Sequence, residues 1–121
     1  MSNRELQISF AIIEAIDKIF NYNKNLKDYT EFRKNNQITD ASLMNFVVIG
    51  ELTNKLSDNF KSKNSQIDWI SIKGFRNIIA HDYFGVDYEE VWQIINNELP
   101  KLKIEFQKIV ELNNNNQKPM F

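Results

Sequence analysis

Apolar residues recur along this chain at the three- and four-residue spacing of helices. From residue 4 to about residue 26, Leu6, Phe10, Ile13 and Phe20 mark one stripe, widened by Ile12, Ile16 and Ile19. Asn21, Asn23 and Asn25 weaken its end. The polar stretch KDYTEFRKNNQITD reads as a connection with room for one short helical turn at 30–35. A second helix is expected from about Asp40 to Phe60, on Phe46, Ile49, Leu52, Leu56 and Phe60. Gly50 inside it costs about 1 kcal/mol against alanine, which suggests that another helix approaches closely there. After the polar loop KSKNSQ, Asp68 is placed to cap a third helix starting at Trp69 and carrying Ile70, Ile72, Phe75, Ile78 and Ile79. Gly85 lies where such a helix ends. Asp87 followed by Glu90 resembles a capping box for a fourth helix, buried through Tyr88, Val91, Trp92, Ile95 and Leu99. Pro100 either kinks that helix or starts another, with Leu102, Phe106, Ile109 and Val110 as the last apolar face.

The pattern predicts an all-α domain over residues 1–112, an antiparallel bundle of four or five helices, followed by a flexible asparagine-rich tail at 113–121. Composition agrees. Only three glycines and two prolines occur in 121 residues, too few turn formers for an all-β architecture. There is no cysteine and a single histidine, which excludes disulfides and thiolate chemistry and argues against a metal site built by the chain. The N-terminal segment lacks the organisation of a signal peptide, and no apolar run approaches the roughly 20 residues of a membrane span, so a cytoplasmic location is expected. The formal net charge of −1 argues against a protein that grips nucleic acid through bulk positive charge, while leaving room for a local basic cleft.

The one histidine falls in RNIIAHDY, residues 76–83. Arg76 is always charged, and its planar fork matches phosphate oxygens. His81 can exchange a proton near neutral pH. Asn77, four residues before His81, can orient the imidazole, and Tyr83 offers a hydroxyl. Together they suit metal-free cleavage of RNA. His81 acts as base on the 2′-hydroxyl or as acid on the leaving oxygen, and Arg76 stabilises the phosphorane. One geometric obstacle stands out. Positions five apart lie about 140° apart around a helix. Loosening of the helix at 80–83, bending of the long arginine, or a two-fold partner could each bring the groups together. Lys61, Lys63 and Lys73 read either as plain solvated lysines or as local positive charge near the motif. Trp69 and Trp92 read as core or interface residues. Glu51 is either a solvated flank or a polar group facing the motif, and Asp82 a helix-ending residue.

The Arg-x4-His-x-Tyr motif of Arg76, His81 and Tyr83 resembles that of the HepT-like toxins of the all-helical HEPN superfamily. The resemblance extends to IGE at 49–51, Trp69, GFRNIIAHDYFGVD at 74–87, Val91-Trp92 and LPKL at 99–102. It implies a homodimer whose two motifs face a shared cleft. It implies a toxin of a toxin–antitoxin pair that acts as a metal-independent endoribonuclease without cofactor. Its catalytic pair is Arg76 and His81, supported by Asn77. It further implies a minimal (MNT-type) nucleotidyltransferase antitoxin that adenylylates Tyr83, adding charge and bulk beside Arg76. Two other readings remain: a non-catalytic accessory or substrate-binding subunit of such a transferase, and a dimeric interaction module with a degenerate site.

Overall fold

The computed structural model describes residues 1–81 and 85–116, with side chains placed except at 76–81 and 114–116. The described residues form seven α-helical segments and no strand: α1 (Asn3–Asn23), α2 (Tyr29–Lys34), α3 (Asn36–Asn54), α4 (Asp58–Lys63), α5 (Trp69–His81), α6 (Tyr88–Gln93) and α7 (Leu99–Asn116). A π-helical stretch, Ile94–Glu98, joins α6 to α7. None of these helices is long and apolar enough to cross a membrane.

The fold is all-helical as expected, but it is divided more finely than four or five helices. The single helix expected over 40–60 is two. α3 begins earlier, where the Asn35 side chain accepts the Ile38 N–H at 3.1 Å. It stops at Asn54, and Ser57 then caps α4 by accepting the Phe60 N–H at 3.0 Å. Leu56 and Phe60 kept the apolar period across this break because both still face the core. The turn at 30–35 is α2, capped by Asp28.

α1 starts with a reciprocal capping box between Ser2 and Glu5. Glu5 also accepts the Ser57 hydroxyl at 2.7 Å and the Ser57 N–H at 3.3 Å. One carboxylate thus joins the starts of α1 and α4, which are 52 residues apart. The buried face of α1 is rotated from the expected stripe. Ile12, Ile16 and Ile19 are fully buried, whereas Phe10 is 40% exposed. At the end of α1, Asn23 is buried and donates to Ile19 O (2.8 Å) and to the Ser42 hydroxyl on α3 (3.0 Å).

Pro100 neither ends the last helix nor starts an unconnected one. It has no N–H and its ring crowds the carbonyl four residues back. The backbone responds by widening: the Leu99 N–H reaches to Ile94 O, one residue further than in an α-helix. Helix then continues to Asn116.

The core lies among the long helices. α3 packs on α1 and α5, and α7 packs on α1. Phe32, Phe46, Phe106, Leu43, Ile49 and Leu99 are buried almost completely. α2 holds the outer side through Phe32 against Trp92 and Arg33 over the Tyr88 ring. Between α5 and α7, the rings of Trp69 and Phe106 meet edge to face, and Gln66 donates to Glu105. Beyond those contacts this seam opens into a groove of about 680 Å³.

Candidate functional site

α5 carries the motif. Its start is fixed as the sequence suggests: Asp68 accepts the Ser71 N–H at 3.1 Å and the Ser71 hydroxyl at 2.7 Å. Those bonds, the hydroxyl first and the backbone second, hold the Asp68 carboxyl below its usual range. One turn in, Ile72 and Phe75 are buried, with Phe75 edge-on to Phe46 of α3. Trp69 sits between Phe60 and Phe106 and donates its indole N–H to Lys61 O (3.2 Å) and Asn64 O (3.1 Å). It is a half-buried packing residue, as expected, and it ties α5 to α4. Trp92 packs on Phe32 in the same manner.

From this anchored half the helical backbone runs on through Arg76 and Asn77 to His81. The side chains of Arg76, Asn77 and His81, and all of Asp82 and Tyr83, lie outside the described residues. The backbone nonetheless narrows the geometric question. The helix is unbroken as far as His81, so no loosening before that residue brings positions 76 and 81 together. At 3.6 residues per turn, positions 70, 74, 77 and 81 fall in one row, and 76 stands apart from it.

The described part of that row is open. Ile70, which the apolar pattern counted with the buried residues, is 87% exposed. A Cβ at Gly74 would meet no atom within 4 Å. Lys73 and Lys63 are exposed and Lys61 is half-buried; Lys61 and Lys63 lie in the last turn of α4, beside Trp69. Lys61 and Lys63 are therefore on the α4 side of α5. Gly50 is buried in α3, the helix against which α5 packs, and Glu51 is exposed. No group of three or more His, Cys, Asp or Glu side chains that could hold a metal ion occurs among the described residues.

The opposite side of α5 was not singled out from sequence. There the groove has an apolar floor of Ile72, Phe75, Leu99 and Leu102. Its rim carries Asp68, Glu90, Glu98 and Glu105, with Lys101. A sequence signal existed: Glu90, Glu98 and Glu105 recur at seven to eight residues, which places them on one side of the helical run that leads from α6 through the π-helical stretch into α7.

The family model for Ribonuclease HepT-like proteins matches residues 12–109. Among curated relatives, a protein of Methanocaldococcus jannaschii named as a candidate RNase is 32% identical over 108 residues, covering 88% of this chain and 98% of its own. A second candidate RNase of that organism is 37% identical and covers 84% of each chain. A protein of Thermococcus cleftensis named as a probable ribonuclease HepT is 28% identical, covering 81% of this chain and 88% of its own. No solved structure matches significantly.

Proposed function

This chain belongs to the HepT-like ribonuclease family, and from that premise we propose that it is the toxin of a type II toxin–antitoxin pair, a metal-independent endoribonuclease acting on cellular RNA. The observation that carries the reading is a family match running from α1 into α7, with Arg76, His81 and Tyr83 in their Arg-x4-His-x-Tyr order on and just after α5.

In this reading His81 takes the proton of a 2′-hydroxyl or gives one to the departing 5′-oxygen. The 2′-oxygen bonds to phosphorus as the 5′-oxygen leaves, giving a cyclic phosphate end and a free 5′-hydroxyl. Arg76 offsets the charge that develops on the phosphoryl oxygens. Asn77 holds the imidazole, and Tyr83 orients the substrate. A second copy of the chain supplies what positions 76 and 81 of one helix cannot, so the active unit is a homodimer. Control comes from an MNT-type nucleotidyltransferase that moves AMP from ATP onto the Tyr83 oxygen with release of pyrophosphate. ATP and its Mg²⁺ belong to that enzyme.

The test is cleavage of total cellular RNA in EDTA by protein whose intact mass shows no modification. Wild type is expected to cleave. Arg76→Ala and His81→Ala are each expected to lose on the order of 10²–10⁴-fold. Absence of cleavage by unmodified wild type would replace this reading with that of an accessory subunit of the transferase. For the control step, incubation with transferase and ATP should add AMP to wild type and none to Tyr83→Phe, read by intact mass.

A further inference from the structure

We propose that the open seam between α5 and α7 is the seat of a helix from a partner protein, amphipathic and basic. α3 packs on α1 and α5, and α7 packs on α1, so three sides of the bundle are closed by helix pairs. The fourth side is bridged at the Trp69–Phe106 and Gln66–Glu105 contacts and is otherwise the groove. Leu99 is fully buried beneath the groove floor, and the partly exposed Leu102 with the edges of Ile72 and Phe75 would meet the apolar ridge of a helix. The wall opposite α5 includes Ile94 and Glu98 of the π-helical stretch, a backbone form found often at functional sites.

Charge chooses the occupant. Among the described residues, four carboxylates line the groove against one lysine, Lys101. The Asp68 carboxyl is held below its usual range and stays ionised at neutral pH. Glu90 and Glu98 make no ion pair among the described residues, and Glu105 has Lys108 at 3.7 Å. Such a rim repels RNA phosphates and attracts lysine and arginine flanking an apolar ridge. Lys61 and Lys63 lie in the last turn of α4, outside the lining of this groove. A helix seated here lies against the element that carries Arg76 and His81. The inference stands without the nuclease reading.

The probe is a fluorescein-labelled amphipathic peptide of roughly 18 leucine and lysine residues, about five helical turns, with a leucine–glutamate peptide as control. Binding to the full chain is read by fluorescence anisotropy. The basic peptide is expected to bind at least about tenfold more tightly than the acidic one, and less tightly as salt is raised. Gly74 supplies the blocking variant, because a side chain there enters open space beside the groove. Gly74→Trp should weaken binding about tenfold or more, and Glu90→Lys with Glu98→Lys likewise, while Gly74→Ala leaves it unchanged and shows that the fold tolerates the position. Equal binding of both peptides, or undiminished binding to Gly74→Trp, would overturn the proposal. So would displacement of the peptide by an oligoribonucleotide, or a wild-type dimer that Gly74→Trp converts to monomer in sedimentation, which would give the groove to RNA or to a second copy. RNA cleavage by the Glu90→Lys with Glu98→Lys variant should be unaltered, so failure here is separable from failure of the ribonuclease reading.

Discussion

Single residues set several measurable properties. At Gly74 the helix bears the backbone entropy cost of glycine, and a methyl group there meets nothing within 4 Å. Gly74→Ala is therefore expected to stabilise the protein by about 0.5–1 kcal/mol in denaturant unfolding. Glu5 sets a pH dependence. Partial burial raises its carboxyl, but the Ser57 hydroxyl and N–H, with the Ser2 bonds, outweigh this and leave it below its usual value. A carboxyl lowered on folding adds stability above its unfolded pKa of about 4.3, and that stability is lost as pH falls through the lower folded value. Acidification below about pH 4 should lower the unfolding midpoint less in Glu5→Gln than in wild type. Some residue-scale features were readable from sequence. Asp68 and Asp87 were recognisable caps, and both accept the expected backbone N–H groups. The Glu5–Ser57 bond was not readable, because nothing local to either residue indicates a partner 52 positions away.

At the scale of elements, apolar period located the helices but not all their ends or faces. Leu52, Leu56 and Phe60 keep a regular spacing through the α3–α4 break, so period alone joined two helices; Ser57 followed by Asp58 was the overlooked signal for a new start. Ser57→Ala should lower stability by about 0.5–2 kcal/mol in denaturant unfolding, since it removes the α4 cap and a bond to Glu5 together. Phe10 and Ile70 were misassigned for a different reason. Period reports which residues are apolar, and an apolar residue beside the buried stripe can remain at the surface. Pro100 was legible as a perturbation, but its outcome was not, because widening the helix and breaking it both answer the missing N–H. Pro100→Ala is expected to raise the unfolding free energy by up to about 3 kcal/mol, and the denaturation midpoint followed by circular dichroism would show it.

At the scale of the molecule, the all-helical architecture and the membership of residues 12–109 in one family were both within reach of the sequence, since long amphipathic helices and a dense local motif leave strong traces. The open α5–α7 seam was not, because a missing neighbour leaves no residue pattern of its own. The core depends on a few large side chains shared between helices. Phe106 is fully buried and faces Trp69, so Phe106→Ala should cost about 3–5 kcal/mol and lower the unfolding midpoint accordingly.

A single line of contacts runs from the first turn of the chain to the motif helix. Glu5 holds Ser57, Ser57 starts α4, and α4 with Asn64 presents the carbonyls that take the Trp69 indole N–H. That indole proton is thus a natural reporter of distant events. Trimming Ser2–Glu5 would speed its exchange with deuterated solvent and shift its nuclear magnetic resonance, although the cut lies more than sixty residues upstream.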